Sequence, residues 1–344
     1  MKMYKNYSLK QHNTFGIDAT AAAFVNIEST EDLKAVLVEN TLPIYILGGG
    51  SNILFTKDYY DYLFIKNGIL GIKILESEQN TEGSIFECLV EIGGGERWHD
   101  IVLWAIENNL GGIENLSLIP GTIGAAPIQN IGAYGVELKN VFHQLEAFNL
   151  QTLENQTFTA EDCQFGYRES VFKNTLKGQY LITKVYLKLT RPPYHTLNLN
   201  YGDIQKTLSN NHISNPTIKD ISDAVIAIRQ SKLPDPSVIG NAGSFFKNPE
   251  IPSAQFNALK VKFPQIVGYP TANDTVKVAA GWLIEAAGWK GKRLGCTGVH
   301  ERQALVLVNY GGSKGLEIKD LAEKIQADVL EKFGIKLMAE VNWL

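Results

Sequence analysis

The run PGTIGAAPIQNIGAYG, residues 120–135, constrains this chain more than any other stretch. It holds four glycines, two prolines and three alanines in sixteen positions, around one amide pair, Gln129–Asn130. Glycine and proline at that density exclude a regular helix. The run is also too apolar for a solvated loop, and a buried loop must satisfy its backbone N–H and C=O groups. A large polar ligand lying along it would do so, which is the expectation here; a packed connection between domains is the alternative.

Two further glycine runs stand out. GGGSNI (48–53) follows the apolar run IYIL. Without Cβ atoms, backbone N–H groups can approach an anion closely, so a strand running into glycines can cradle a phosphate or simply turn. It is not a dinucleotide fingerprint, because Ile53 stands where Gly or Ala is needed, and it is not a P-loop, because no GK[ST] follows. GNAGSFFKNP (240–249) places Ser244 after small residues. On its own that serine reads as a turn or cap. A nucleophile elbow is excluded, since Ala242 and Phe246 occupy the two glycine positions, and no histidine motif supplies an activating base.

The 344 residues exceed one ordinary core and indicate two or three domains. A formal net charge of −4 gives no sign of a nucleic-acid surface, and no apolar run reaches the roughly 18 residues of a membrane span. The three cysteines are far apart, with no CxxC, and the histidines show no metal-ligand spacing, so neither disulfides nor a metal site is expected. The N-terminus lacks a secretory h-region. Reduced thiols in the cytoplasm are expected.

Ser29 and Thr30 cap a helix over EDLKAVLVEN, and β-rich runs follow at PIYIL, YLFIK and IFECLVEIGGG. ERWHDIVLWAIENN sets Trp98, Ile101, Val102 and Ala105 at helical spacing, and 142–190 is strand-like. After Pro192–Pro193 the chain turns more helical. IKDISDAVIAIRQSK is stopped by LPDP; SAQFNALKVKF, TVKVAAGWLIEAAG and KGLEIKDLAEKIQADVLEKFG read as helices, ALVLVN as a strand, and IKLMAEVNWL as a final strand. Composition thus places a boundary near 192–220.

Taken together, HNTFGI (12–17), ILGGGSNIL (46–54), PGTIGAAPIQNIGAYGVE (120–137), DCQFGYRESVFK (162–173), RQSKLPDP (229–236), GNAGSFFKNP (240–249), AAGWLIEAAGWKG (279–291) and AEVNWL (339–344) resemble, in order, the UDP-N-acetylenolpyruvoylglucosamine reductase family of flavoenzymes. The resemblance implies an α+β chain with a vanillyl-alcohol oxidase-type FAD-binding fold. It would have FAD subdomains at 1–69 and 70–217, the strand in 331–344 returning to the second, and an α+β substrate domain at 218–330. Tyr201–Gly202 resembles the family's type I branch.

The implied activity is NADPH-dependent, FAD-mediated reduction of UDP-N-acetylglucosamine enolpyruvate to UDP-N-acetylmuramate, for peptidoglycan synthesis and hence cell-wall biogenesis, cell shape and division. Hydride would come from flavin N5. The resemblance assigns catalysis to Arg168, Glu340 and Ser244: Arg168 and a neutral Glu340 stabilise the enolate, and Ser244 gives the proton. It assigns FAD binding to Gly48, Gly49, Gly50, Ser51, Asn52, Gly121, Thr122, Gly124, Ala125, Ala126 and Arg229, and the UDP-sugar to Tyr134, Tyr201, Lys232 and Asn248. Where the family usually carries Asp, Pro and Arg, this chain has Glu169, Ala339 and Asn342. A monomer is expected. Two rivals stand beside this reading: an alcohol- or amine-oxidising flavoenzyme of the same fold, which has no need of Arg168, Ser244 and Glu340 together, and an inactive nucleotide-sugar-binding protein.

Overall fold

Alternating apolar residues in Thr20–Ile27 and Tyr59–Asn67 build the first sheet, which the computed structural model orders as Met3–Ser8, Thr20–Ile27, Tyr59–Asn67, Ile44–Leu47. The structure describes residues 1–79, 85–201, 203–271 and 273–344; Gly202 of the tyrosine–glycine pair lies outside them. Ile44–Leu47 runs parallel to Leu63–Lys66. Helix Thr30–Glu39 is capped by Ser29, whose hydroxyl accepts from the Asp32 N–H, and it buries Leu33 and Val36 against Val25, Ile27, Leu63 and Ile65.

A second, antiparallel sheet has the order Asn155–Thr159, Phe142–Asn149, Tyr180–Thr190, Ile85–Gly93, Ile72–Gln79. Helix Trp98–Glu107 lays Trp98, Ile101, Val102 and Ala105 on it, the four positions its periodicity selects. Helices Ile204–Asn210 and Ile218–Lys232 make a smaller core from Ile204, Leu208, Ile221, Val225 and Ile228. Apart from the terminal residues Ser8, Thr20, Tyr59, Tyr60 and Lys232, these elements belong to one compact unit, 1–7, 21–49 and 61–231.

The other unit comprises 8–20, 50–60 and 232–344. Its main sheet is ordered Gly240–Ser244, Val306–Asn309, Thr297–Val299, Arg293–Leu294. Helix Gly315–Phe333 buries Ile318, Leu321, Ala322, Ile325 and Val329 and ends at the left-handed Gly334. Two expectations change here. In TVKVAAGWLIEAAG only Ala280–Ala286 is helical; Thr275–Val278 is the central strand between Glu250–Pro252 and Gly268–Pro270, because β-branched residues at alternate positions pair on both edges. The last strand is short, Asn342–Trp343, and runs parallel to Ile53–Leu54, where the sequence had it return to 70–217. Backbone bonds hold it there: Asn342 N–H to Asn52 O and Leu344 N–H to Leu54 O.

Candidate active site

The residues singled out from sequence divide between the two units. In the first, Gly48 and Gly49 leave the Ile44–Leu47 strand and meet the 121–126 loop. A Cβ on Gly49 would stand 2.7 Å from Gly121 Cα, and one on Gly48 would stand 3.1 Å from Thr122 Oγ1 and 3.2 Å from Ala125 Cβ. Two backbones thus touch, which only glycine permits.

The loop satisfies most of its backbone within the protein. Ile123 N–H donates to Glu96 O, Gly124 N–H to Gly94 O, and Gly121 O accepts from Trp98 N–H. The protein itself thus serves these backbone groups. What the protein leaves unserved is a side chain, the buried Thr122 Oγ1, which has no hydrogen-bond partner. An orphaned hydroxyl beside glycines with no room for a side chain fits a cofactor that supplies polar atoms of its own.

Tyr134 and Gly135 form the two-residue turn of the hairpin Gly132–Ala133/Val136–Glu137, with φ of +49° and +81°. That is a primed turn, in which Asn or Gly usually takes the place of the tyrosine. Arg168 also has positive φ, +56°, in a tight turn closed by Gly166 and Glu169, which exchange backbone hydrogen bonds. Strained side-chain-bearing residues in paired turns mark positions held for use. The Arg168 guanidinium donates to Gly132 O at 2.6 Å, so the arginine turn is fastened to the Tyr134 hairpin. Fully buried Asn130 couples the same pieces: its amide donates to Gly166 O and Glu137 Oε2, and its Oδ1 accepts from Lys139 N–H.

Arg229, on helix Ile218–Lys232, brings a second guanidinium toward this cluster. Its Nε is buried without a partner. Burial holds this guanidinium below its ordinary pKa; Tyr134 counteracts and the like charge of Arg168 adds to the depression. Two cations in electrostatic reach, one with an unserved buried donor, make a place for an anionic or strongly accepting group. The Tyr201 ring stands edge-on to Tyr134, centroids 6.4 Å apart.

The second unit holds Gly50, Ser51, Asn52, Lys232, Ser244, Asn248 and Glu340. Gly50 has φ +65°, and a Cβ there would lie 1.9 Å from His12 O. Asn52 donates from Nδ2 to Glu340 O, and its own carbonyl accepts from both the N–H and Nδ2 of Asn342. Ser244 ends a bulged strand. Register slips between Asn241 and Ser244, Gly243 takes φ +69°, and Asn241 Oδ1 accepts the Gly243 N–H. The bulge turns Ser244 outward, exposed, while Phe245 and Phe246 are buried. Ser244 is therefore neither cap nor loop serine.

Glu340 N–H donates to Phe245 O at 2.8 Å, and Ala339 bridges Phe246, so the glutamate is fixed one residue from the serine. The departures Ala339 and Asn342 are the residues that make these backbone contacts. Lys232 is exposed at its helix end, and Asn248 Oδ1 accepts the Ala280 N–H that opens helix Ala280–Ala286. Asn241, Asn130 and Asn342 have positioning roles that spacing does not reveal, although the Gln129–Asn130 pair and the Asn342 departure stand out in the sequence. Among the described residues no cluster suited to a metal ion is present and no helix is long and apolar enough to cross a membrane.

Residues 235–344 match the family model for the UDP-N-acetylenolpyruvoylglucosamine reductase C-terminal domain, and 21–155 match that for an FAD binding domain. The chain is 52% identical over 343 residues to UDP-N-acetylenolpyruvoylglucosamine reductase of Flavobacterium johnsoniae, covering 99% of each. It is 46% identical to the Pseudomonas aeruginosa protein of that name, again over 99% of each. The crystal structure of UDP-N-acetylenolpyruvylglucosamine reductase from Thermus caldophilus superposes with TM-score 0.66 at 22% identity, over 99% of this chain and 98% of that one. 6-Hydroxy-D-nicotine oxidase from Arthrobacter nicotinovorans gives TM-score 0.52 at 14% identity, over 99% and 88%. These two likenesses show the fold, the α+β vanillyl-alcohol oxidase-type FAD-binding architecture expected from the sequence, and FAD is the cofactor.

Proposed function

Because this chain belongs to the UDP-N-acetylenolpyruvoylglucosamine reductase family, we propose that it reduces UDP-N-acetylglucosamine enolpyruvate to UDP-N-acetylmuramate with NADPH. The protein is an FAD-dependent oxidoreductase. The observation that carries the finer reading is the bulged Gly240–Ser244 strand, which turns Ser244 outward beside a backbone-fixed Glu340. A small-alcohol oxidase of this fold has no use for that pair.

Gly48–Asn52 and Gly121, Thr122 and Gly124–Ala126 hold the cofactor, with Thr122 Oγ1 and Arg229 Nε as donors awaiting acceptors. When bound, FAD supplies the hydride, taken from NADPH and delivered to the β carbon of the enolpyruvyl group. As that C–H bond forms, the π pair of the substrate's double bond moves toward its carboxylate. The Arg168 guanidinium holds the growing charge. Glu340 is assigned to the stabilisation of the same intermediate. The Ser244 Oγ–H bond then breaks, the proton goes to the α carbon, and water restores the serine, with Lys247 three residues on to ease the alkoxide. A serine hydroxyl is a weak acid, and it suffices here because the acceptor is an enolate carbon.

Tyr134, Tyr201, Lys232 and Asn248 bind the nucleotide sugar, the lysine suited to the diphosphate. The division into 1–69, 70–217 and 218–330, the monomeric state and the cytoplasmic location belong to the same proposal. The test is optical. Purified protein should be yellow, bleach under anaerobic NADPH, and recover its colour on addition of UDP-N-acetylglucosamine enolpyruvate. Bleaching without recovery would leave an oxidoreductase of another substrate.

A further inference from the structure

We propose that Asn115 is a positioning residue for the nucleotide-sugar end of the site. Its one buried amide fastens the Tyr134 turn to the segment that carries Tyr201. The inference rests on the reading above, in which those two tyrosines meet the UDP-sugar.

Asn115 is fully buried in the short Glu114–Leu116 turn. Its neighbours are immobilised one by one. The Glu114 carboxylate accepts the Gly112 N–H at 2.7 Å, and Gly111 exchanges two backbone bonds with Thr190 at the end of a core strand. Leu116 O accepts from Trp98 Nε1, and Ser117 Oγ shares a hydrogen bond with Ser222 Oγ on helix Ile218–Lys232. The side chain between these anchors has little freedom.

Both amide hydrogens of Asn115 are used, and both cross to distant segments. One goes to Tyr134 O at 3.0 Å, the other to Asn198 O at 2.9 Å. Asn198 answers by donating from Nδ2 to Gly135 O at 3.2 Å. The two asparagines thus lace the Tyr134–Gly135 turn to the 197–201 segment, whose Leu197 and Leu199 pack with Tyr134 on the small helical core. The Tyr134 and Tyr201 rings themselves meet edge-on.

The arrangement is paid for at Asn115 itself, whose buried Oδ1 has no partner. A buried amide with an unserved oxygen is poor design for stability alone. It is good design for holding two carbonyls at a fixed separation, since only a side chain with two N–H donors on one nitrogen can do that from this position. Tyr134 sits at positive φ, so its turn has reason to relax when the brace is removed.

The experiment uses the flavin-loaded full chain with UDP-N-acetylglucosamine enolpyruvate as the variable substrate, comparing wild type, Asn115→Ala, Tyr201→Ala and the double variant. Asn115→Ala is expected to raise KM for the nucleotide sugar about tenfold, with bleaching by NADPH changed less than about twofold. On the Tyr201→Ala background the same substitution should add little, because both act through one contact. An unchanged KM, a parallel loss in the NADPH half-reaction, or fully additive effects would each overturn the proposal. If Asn115→Ala does not retain flavin, Asn198→Ala takes its place, and a wild-type KM there overturns the proposal too. Failure of the underlying reading shows differently: Tyr134→Ala and Tyr201→Ala would themselves leave KM at the wild-type value.

Discussion

Arg168 illustrates how much of this chemistry depends on a single side chain held in a costly backbone state. At φ +56° it aims a guanidinium that already donates to Gly132 O. Arg168→Lys keeps the charge and loses the planar fork, so reoxidation of reduced enzyme by the enolpyruvyl sugar should slow by about a hundredfold. Bleaching by NADPH should stay at the wild-type rate. Rapid-mixing absorbance of the flavin measures both, and equal slowing of the two steps contradicts the role. Ser244 and Arg168 were legible as members of ordered motifs. Asn115 was not: its partners lie 19 and 83 residues away, and a buried asparagine leaves no periodic mark.

Elements carry the next level. The contact of Gly49 with Gly121 is between two loops, and Gly49→Ala puts a methyl 2.7 Å from backbone. The variant should fold yet purify with less than about a tenth of the wild-type flavin; full flavin content would remove the loop from the cofactor site.

Helix Trp98–Glu107 supplies a pH-sensitive strut. His99 Nδ1 accepts the Leu118 N–H at 3.0 Å, which requires an unprotonated nitrogen, and burial, aided by Arg97 and Arg229 against Asp100, lowers its pKa. A depressed histidine binds more protons unfolded than folded. Its contribution is therefore complete above the ordinary histidine range and declines as pH falls toward the lowered value. In thermal melts from pH 8 to pH 5, His99→Asn should lose less stability than wild type; an equal or larger loss contradicts the assignment.

The amphipathic helices and the capped Thr30–Glu39 helix followed from periodicity and end signals. Thr275–Val278 did not, because a four-residue β-branched run next to a short helix has the same apolar content as a longer helix.

At the scale of the whole molecule, each unit is held by its own cores, and each contributes part of the proposed chemistry: Arg168, Arg229 and the tyrosines in one, Ser244 and Glu340 in the other. The ordered motifs revealed the family across the whole chain. The bonds that fix Glu340 came only with the structure, since Asn52 reaches its carbonyl from 288 residues away and Phe245 accepts its N–H from another distant segment. The central claim is that hydride chemistry and proton delivery are separate tasks, the second belonging to Ser244. Anaerobic stopped-flow of the flavin absorbance in Ser244→Ala tests it most directly. The account predicts bleaching by NADPH at the wild-type rate and turnover of the enolpyruvyl sugar slowed by about a thousandfold. Wild-type turnover in that variant, or equal slowing of both half-reactions, would contradict it.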